Sequence, residues 1–385
     1  MAPGGGCAVS PGERADARWL SDDGELHWHR TPRRFRQPDR AAKPRTRGVG
    51  VSVDAAAILD RLLAGEGLSE TEAAETLRLL ASGADHALAG AILAALRAKG
   101  ETAAEIRGFA SAMRELATAP PITVGHEACD LVGTGGDGAH TFNLSTGASL
   151  LAAAAGVPIV KHGARSVSSK SGSADVLEEL GLAMPPDPSQ AERLWNAHGF
   201  MFLFAPAHHP AMAAIRPVRK SMGVRTIFNI LGPLTNPAAP PFAVIGAYSI
   251  EVAQLLAEAI AGTDIRRAFV IHGEPGWDEA TPVGPFDLFD VEGGLIRHEN
   301  RDPIDAGVER CSPDDLRGGD AAHNAEAMCR ALTDQAGPHR DALCLAAGLA
   351  QEVTGRVEGL GEGVEIARGA IDDGRASKLL EALRG

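Results

Sequence analysis

The chain has 385 residues, of which 44% are hydrophobic, and a formal net charge of −13. This length is enough for two domains with a large buried core. The acidic balance argues against a general role on nucleic acids or membrane surfaces. The five cysteines lack CxxC spacing, which argues against a disulfide framework or a structural zinc site and predicts a reducing, cytoplasmic setting. No apolar run approaches the ~20 residues of a membrane span.

The first 50 residues differ in composition from the rest of the chain. They begin with the low-complexity stretch MAPGGG, and residues 30–47 are rich in Arg and Pro. An apolar h-region is missing, which excludes a signal peptide. We interpret residues 1–50 as a disordered extension or the product of an upstream start codon, in preference to a basic binding arm.

From residue 51 the spacing of apolar residues becomes helical. Four helices are predicted within residues 51–119, before a pair of prolines. Capping boxes at 69–72 and 102–105 open two of them. Residues 187–222 are interpreted as helical again, with helices at 192–197 and 209–218. We expect them to complete the same small domain, which makes that domain discontinuous.

Beyond residue 121, short apolar runs alternate with helical stretches. Strands are predicted at 129–132, 157–160, 242–247, 268–271 and 286–291. Such alternation is typical of a mostly parallel sheet with helices on its faces and ligands at the carboxyl ends of its strands. We therefore predict an α/β fold with a small, discontinuous all-helical domain and a larger α/β domain formed by residues 121–186 and 223–385.

The most informative motif is GTGGDG at 133–138, which the run NLST follows at 143–146. Glycines let the backbone approach a ligand closely. The amide and hydroxyl side chains fall at the predicted start of a helix, where free N–H groups attract anions. The motif has neither GxGxxG nor P-loop spacing. Alone it would be an ordinary turn, but together with Asn143, Ser145 and Thr146 it indicates an anion site.

A second polar segment, KHGARSVSS at 161–169, follows the predicted strand 157–160. A single lysine after a strand is usually just solvated, but Lys161 is accompanied here by Arg165 and several serines. Polar side chains at this density between two apolar elements are costly unless they bind something. The segment therefore predicts a second part of a phosphate site, and the two segments together indicate a ligand with several phosphate charges.

Three further groups are ambiguous from local sequence alone. Asp278 and Glu279, in a loop after a predicted strand, are equally compatible with inert surface and with a Mg²⁺ site. Arg219 near a helix end is by itself a surface cation or a helix C-terminal charge. His208 and His209 point apart on a helix and are interpreted as capping or packing residues.

Taken in order, the motifs resemble anthranilate phosphoribosyltransferases from about residue 53 to the C-terminus. The resemblance rests on the late Asp-Glu pair and on the runs GTGGDG, TFNLST, KHGARSVSSKSGSADVLEELG, FLFAPAHHPAM and PVRKSMGVRTIFNILGPLTNP. These enzymes of tryptophan biosynthesis transfer phosphoribosyl from phosphoribosyl pyrophosphate (PRPP) to the amine of anthranilate. The resemblance implies a nucleoside phosphorylase-like fold, a site between the two domains, a Mg²⁺ cofactor and a homodimer formed through the helical domain.

The resemblance also implies three subsites. The PRPP subsite would comprise Gly133, Gly136, Asp137, Thr141, Asn143, Leu144, Ser145, Thr146, Lys161, His162, Gly163, Arg165, Ser166, Ser168, Ser169 and Ser173. The anthranilate subsite would comprise Gly133, His162, Ala164 and Arg219, whose guanidinium suits a carboxylate. Mg²⁺ would be held by Ser145, Asp278 and Glu279. It implies no certain catalytic acid or base, and Lys161 and Asp137 would act electrostatically.

The acceptor side departs from the family pattern. Ala164 stands where the family usually has asparagine, and Ala207 and His208 stand where lysine and tyrosine are common. Two enzyme hypotheses therefore remain: transfer to anthranilate, and a paralogue that uses a different aromatic amine. A nucleoside phosphorylase of similar architecture is disfavoured by the acidic pair. A non-catalytic paralogue that binds nucleotide or nucleic acid is disfavoured by the acidic net charge and by the intact motifs of the PRPP subsite, the subsite for the phosphoribosyl donor.

Overall fold

A computed structural model describes residues 18–20, 54–121, 123–166, 170–333 and 336–384. The helices are α1 (Ala55–Leu63), α2 (Glu70–Ala81), α3 (His86–Lys99), α4 (Ala103–Glu115), α5 (Leu144–Ala154), α6 (Ser173–Glu179), α7 (Pro188–His198), α8 (Ala205–His208), α9 (Met212–Met222), α10 (Phe228–Leu231), α11 (Ile250–Ala261), α12 (Ala321–Thr333), α13 (Pro338–Val353), α14 (Leu360–Asp372) and α15 (Arg375–Leu383). The strands are β1 (Arg18–Leu20), β2 (Cys129–Gly133), β3 (Ile159–Gly163), β4 (Phe200–Phe204), β5 (Phe242–Gly246), β6 (Arg267–Gly273), β7 (Phe286–Glu292) and β8 (Leu295–Arg301).

The four predicted N-terminal helices are confirmed, and so are both capping boxes. The second box has a further role because the side chain of Glu105 is fully buried. Its carboxylate accepts hydrogen bonds from the Leu68 N–H at 2.9 Å and from Lys99 Nζ at 3.0 Å. A buried carboxylate satisfied in this way ties α2, α3 and α4 together.

The two helices predicted within residues 187–222 are confirmed as α7 and α9, but the residues between them are not continuously helical. The run Phe200–Phe204 forms β4, which pairs in parallel with β3 at the edge of the sheet, and α7 packs against it. A short apolar run that is buried on both faces cannot be told from a buried helix by its periodicity. Within residues 187–222, α9 packs against α2 and α3 of the helical domain, and its residues Ile215 and Val218 belong to the same hydrophobic core as those helices.

The described strands form one eight-stranded sheet in the order β1-β8-β7-β6-β5-β2-β3-β4. The strands β6, β5, β2, β3 and β4 are parallel to one another, as predicted, whereas β7 is antiparallel to both of its neighbours, β6 and β8. The polar run of β8 was not predicted as a strand, although the Gly293–Gly294 turn before it, with φ of 58° and 82°, is a hairpin signal. Of residues 1–53 the structure describes β1 alone, parallel to β8. The interpretation of residues 1–50 stays a prediction.

The sheet has a hydrophobic core on each face, and alternate residues of β5 point into each. Val244 packs with α5 and α13 on one face, and Ile245 packs with α11 and the helical domain on the other. The sheet therefore separates two hydrophobic layers, one on each face. No helix in the described ranges has the length and apolar character needed to cross a bilayer.

Candidate active site

Four neighbouring parallel strands end in glycine at the same edge of the sheet. These residues are Gly133, Gly163, Gly246 and Gly273, at the ends of β2, β3, β5 and β6. A Cβ on Gly246 would overlap the backbone carbonyl of Asp278, and a Cβ on Gly273 would overlap that of Glu279. The loop after β6 therefore folds onto the strand ends, in space that only glycine leaves free.

The acidic pair Asp278–Glu279 is hydrogen-bonded to the Gly-rich motif and to the residues that follow it up to the start of α5. The Gly135 N–H donates to Asp278 Oδ2 at 2.6 Å, and the Asp278 N–H donates to Asp137 Oδ2 at 3.2 Å. Glu279 accepts from Thr141 Oγ1 and from the Ser145 N–H, both at 3.2 Å. The pair thus bridges the Gly-rich loop (residues 133–138) and the first turn of α5.

The carboxyl groups of Asp137, Asp278 and Glu279 lie close together at this point of the structure. Burial, and then the charge of Asp137, raises the pKa of the Asp278 carboxyl. Burial, and then the charge of Asp278, raises the pKa of Glu279. Carboxyls that repel one another in a buried setting favour a cation nearby. The site is therefore electrostatically prepared for a positively charged ligand.

Lys161 lies within β3 and not after it, and its side chain is almost fully buried at 2% exposure. Its Nζ donates to the Leu131 carbonyl at 2.6 Å and to Ser145 Oγ at 3.2 Å. Burial lowers the pKa of the ammonium, whereas Asp130 and Glu279 favour its charged form. Lys161 is thus held beneath the start of α5, next to the acidic pair.

The Gly-rich loop has a backbone conformation that requires its glycines. Gly135, Gly136 and Gly138 have φ of 66°, 78° and 80°, in the left-handed region. The Thr134 N–H donates to the Gly246 carbonyl at 2.9 Å, and the Ala139 N–H donates to Asp137 Oδ1 at 3.0 Å. The loop is therefore folded at the strand ends and contacts the acidic pair.

A pair of buried histidines lies at the end of β3. His162 Nε2 and His209 Nε2 are 3.2 Å apart, and the His162 N–H donates to Asp130 Oδ1 at 3.3 Å. Burial, and then the other histidine, lowers the pKa of His162 to about 3. Burial, and then His208, lowers the pKa of His209 to about 4. Both rings are therefore neutral near pH 7, and one donates to the other.

Arg219 lies on α9, at the helical side of the protein. Its Cζ is 5.3 Å from the centre of the Phe228 ring. Burial lowers its pKa, and no carboxylate of the described ranges opposes that effect. A half-buried guanidinium without a carboxylate partner is able to bind an anionic ligand group.

Comparison with known proteins finds a family match for each of the two domains. Residues 125–377 match the model of "Glycosyl transferase family, a/b domain" and residues 56–117 match "Glycosyl transferase family, helical bundle domain". An anthranilate phosphoribosyltransferase of Desulforudis audaxviator is 46% identical over 327 residues, which are 84% of this chain and 94% of that protein. The chain belongs to the anthranilate phosphoribosyltransferase family.

Solved structures of anthranilate phosphoribosyltransferases have the same fold. The Thermus thermophilus enzyme aligns with a TM-score of 0.79 and 41% identity, over 85% of this chain and 99% of its own. The Saccharomyces cerevisiae enzyme in complex with PRPP and Mg aligns with a TM-score of 0.77 and 27% identity, over 86% of this chain and 96% of its own. The predicted fold class and family are therefore confirmed.

The structure brings many of the predicted site residues together, whereas others form hydrogen bonds or ion pairs with other residues of the protein. Gly133, Asp137, Thr141, Ser145 and Lys161 are connected to the acidic pair, directly or through one another. Gly136, Leu144, Thr146 and Gly163 lie in the same two loops or the elements beside them. Ser168 and Ser169 lie outside the described residues.

Arg165, Asn143 and Ser173 have partners within the protein. Arg165 Nη1 lies 2.9 Å from Asp175 and 2.7 Å from Glu178, both on α6. The Asn143 amide donates to the Ser171 carbonyl at 3.2 Å, and Ser173 Oγ donates to the Ala164 carbonyl at 3.3 Å. The Ser166 N–H donates to Asp175 Oδ2 at 3.1 Å. A direct role of Arg165 at a phosphate requires it to exchange these partners.

Sequence reasoning missed two residues that support the anthranilate phosphoribosyltransferase site. Buried Asn324 donates to Asn143 Oδ1 at 2.8 Å and accepts from the Gly319 N–H at 2.7 Å. Arg225 donates to the Gly136 carbonyl. Asn324 lies 181 residues from its partner, and no local pattern predicts such a contact. Arg225 lies within a motif that carries the family resemblance, but its distance along the chain from the Gly-rich loop concealed its role.

The buried histidine pair predicts a pH dependence of stability. Because both folded-state pKa values lie below the unfolded value of about 6.5, the unfolded chain binds more protons as pH falls below that value. The free energy of unfolding should therefore decrease from pH 6.5 towards pH 4, by up to about 1.4 kcal/mol per pH unit for each ring. His209→Gln removes one ring and should flatten this decline.

Urea unfolding at pH 4.5, 5.5 and 6.5 measures this slope. Other titrating groups, such as Asp130 with a pKa raised by burial to about 6, are common to both proteins and cancel in the comparison. His86→Gln, at an exposed position at the start of α3, is the matched control and should leave the slope as it is. Equal slopes for wild type and His209→Gln would contradict the assignment of two neutral buried rings.

Proposed function

We infer that the protein transfers the phosphoribosyl group of PRPP to the amine of anthranilate and releases pyrophosphate. The observation that supports this best is the convergence of the Gly-rich loop, the buried ammonium of Lys161 and the acidic pair at one edge of the sheet. Together these groups provide backbone donors and a cation for phosphate, and carboxylates for a metal ion. This combination suits a diphosphate ester of a sugar.

We propose that the pyrophosphate of PRPP lies against the Gly-rich loop and the first turn of α5. N–H groups at a helix N-terminus attract phosphate oxygens. Lys161 would neutralise charge that grows on the departing pyrophosphate. Its bonds to the Leu131 carbonyl and to Ser145 Oγ hold the ammonium in place, and the nearby carboxyls of Asp130 and Glu279 favour its charged form against the effect of burial on its pKa. The stabilising charge is therefore in place before the donor binds.

The donor set fits Mg²⁺ bound jointly with a phosphate ligand. Within the described residues, no group of three or more His, Cys, Asp or Glu side chains could hold a metal ion. Asp278, Glu279 and Ser145 offer oxygen ligands, and Mg²⁺ typically takes one or two carboxylates plus substrate phosphates and water. We propose that these three residues hold it. When bound, Mg²⁺ would stabilise negative charge on the pyrophosphate leaving group.

The chemistry proposed for the site needs alignment and leaving-group stabilisation more than a strong base. The bond from ribose C1 to the pyrophosphate oxygen breaks, and the anthranilate nitrogen forms a bond to C1 from the opposite face, with inversion. The amine is already nucleophilic, and the proton that it loses as the C–N bond forms is taken up by the released pyrophosphate. Held reactants and a fixed electrostatic environment account for most of the acceleration in such a reaction.

Turnover by the purified full-length chain tests the proposed function. PRPP, Mg²⁺ and anthranilate are mixed with the protein, and the loss of anthranilate fluorescence is followed. Turnover that requires all three components supports the proposal. Absence of turnover with anthranilate, but turnover with another member of a panel of aromatic amines, would favour the paralogue that Ala164 suggests, since the missing amide removes a bond of about 1 kcal/mol.

Arg219→Ala should weaken anthranilate binding far more than donor binding. We expect the KM for anthranilate to rise about 10–100-fold, because a charged hydrogen bond to the carboxylate contributes about 1.5–3 kcal/mol. The KM for PRPP should stay within about 2-fold. Lys220→Ala, an exposed cation next to it on α9, is the control. Equal increases in both KM values would contradict the role proposed for Arg219.

We propose that the protein is a homodimer formed through its helical domain. Leu63, at the end of α1, is 69% exposed, the largest exposure among the large hydrophobic side chains described. An apolar side chain in that position gains free energy when a second copy covers it. Sedimentation equilibrium measures the mass: a value near twice 39.9 kDa supports the proposal, and a value near 39.9 kDa contradicts it.

A further inference from the structure

We propose that Arg225 is a positioning residue that fixes the Gly-rich loop for the donor and links this loop to the helical domain. Arg225 lies between α9 and α10, and its side chain crosses to the loop. The inference rests on the proposed function, because it assumes that this loop binds the pyrophosphate of PRPP. It adds to that function a residue that acts on the donor through the loop conformation.

The guanidinium of Arg225 is held on two sides. One side chain nitrogen, Nη2, donates to the Gly136 carbonyl. Its Cζ lies 4.1 Å from the centre of the Tyr248 ring, within the range of a cation–π contact. A Cβ on Gly136 would come within 3.3 Å of Nη2, so the loop is packed closely against this group. Arg225 therefore occupies a defined position beside the loop.

The contact determines which way a peptide unit of the loop faces. The peptide bond is planar and trans, so the Asp137 N–H points away from the Gly136 carbonyl that Arg225 binds. A free carbonyl that turned towards the ligand would repel phosphate oxygens. Gly135, Gly136 and Gly138 all have positive φ, and glycines change conformation at little cost. An external bond to the Gly136 carbonyl therefore restricts a loop that would otherwise be free to rearrange.

Tyr248 holds the same loop from its other end. The Tyr248 N–H donates to Thr134 Oγ1 at 3.2 Å, and its ring packs against the Arg225 guanidinium. Thr134 and Gly136 flank Gly135, whose N–H donates to Asp278. Arg225 and Tyr248 thus hold the residues on both sides of the position that contacts the acidic pair. Loss of Arg225 should loosen the loop without removing any group that touches the donor.

The backbone of Arg225 is bound to the helical domain. Arg97 Nη1, on α3, donates to the Arg225 carbonyl at 3.3 Å. Arg219, which we propose as the anthranilate ligand, lies six residues earlier on α9. The segment from Arg219 to Arg225 therefore connects the proposed acceptor group, the helical domain and the donor loop. We infer that the position of the helical domain and the order of the loop are coupled through this segment.

Arg225→Gln and Arg225→Lys test the role of the side chain. For Arg225→Gln we expect the KM for PRPP to rise about 10-fold, since a hydrogen bond from a charged group is lost. The KM for anthranilate and the urea midpoint should change little. Arg225→Lys keeps the charge but not the planar fork, and should recover part of the effect. Hydrogen exchange of the peptide 133–140 should accelerate in Arg225→Gln.

Arg266→Gln is the matched control, because Arg266 also lies over an aromatic ring, at 5.0 Å from the centre of Phe242, near the amino end of β5. It should change neither KM nor loop exchange. Equal rises in the two KM values, or unchanged loop exchange in Arg225→Gln, would overturn the inference. Wild-type protein that does not turn over PRPP would instead refute the proposed function, so the two failures are distinguishable.

Discussion

Replacing Asp278 with asparagine is expected to lower kcat/KM for PRPP by about 10²–10³-fold, the usual cost of losing a preorganised electrostatic group. The amide of the Asp278→Asn variant would keep an oxygen that accepts from the Gly135 N–H, so the loop geometry is retained. What the substitution removes is the negative charge proposed to hold Mg²⁺. Steady-state kinetics at varied PRPP and Mg²⁺ measure the loss.

The same substitution should not lower the stability of the ligand-free protein. The pKa of Asp278 is raised by burial and by Asp137, which means that the ionised carboxylate is disfavoured in the fold. A neutral amide relieves this repulsion, so the unfolding free energy at pH 8 should stay equal or increase. Loss of activity without loss of stability is typical of a binding-site charge.

Glu274→Gln provides the control for Asp278→Asn, since Glu274 is an exposed carboxylate in the same loop after β6. Its kcat/KM should remain within about 2-fold of wild type, the range of an exposed charge. If Asp278→Asn retained full activity, or if both variants lost activity equally, the acidic pair would not be the metal-binding group that we propose.

Gly246→Ala is expected to damage both stability and activity. Its Cβ would overlap the backbone carbonyl of Asp278, and a backbone atom cannot move aside as a flexible side chain does. Overpacking of this kind costs about 1–3 kcal/mol. The displaced acidic pair should also reduce kcat/KM for PRPP by at least about 10-fold. Urea unfolding and steady-state kinetics measure the two effects.

Substitutions at two other glycines distinguish a general effect of adding a Cβ from the specific overlap at Gly246. Gly369→Ala, in α14, meets nothing within 4 Å and should stabilise the protein by about 0.5–1 kcal/mol, the difference in helix propensity. Gly133→Ala would overlap the side chain carboxylate of Asp278, whereas the Asp278 backbone carbonyl, 3.6 Å from the added Cβ, is at an ordinary contact distance, so the variant should lose activity more than stability. If Gly246→Ala changed neither the free energy of unfolding nor kcat/KM for PRPP, the loop after β6 would not pack on the strand ends.

The elements that sequence patterns predicted well are those whose signals are local. The capping boxes of α2 and α4 and the alternation of helices and strands are both confirmed. The missed strands had misleading local signals. β4 is apolar on both faces and resembles a buried helix, and β8 is a largely exposed hairpin strand of mostly polar residues.

The site was predictable in its motifs but not in its connections. The Gly-rich loop and Lys161 were identified because their residue types are unusual at strand ends. The acidic pair was undecided from local sequence, because its partners Gly135 and Ser145 lie more than 130 residues away along the chain. Arg165 was expected to be available for phosphate. In the structure the chain turns back after Arg165, so that its guanidinium pairs with two carboxylates of α6, and residue composition does not predict this turn.

A crystal structure of the protein with PRPP and Mg²⁺ tests the central claim most directly. We predict pyrophosphate oxygens within hydrogen-bond distance of the Gly-rich loop N–H groups and of Lys161 Nζ, and the metal ion on Asp278 and Glu279. A cavity of about 260 Å³, whose lining includes Arg107, Arg114 and Asp130, lies near the opposite ends of the strands. PRPP bound there, with the acidic pair free of metal, would contradict the account.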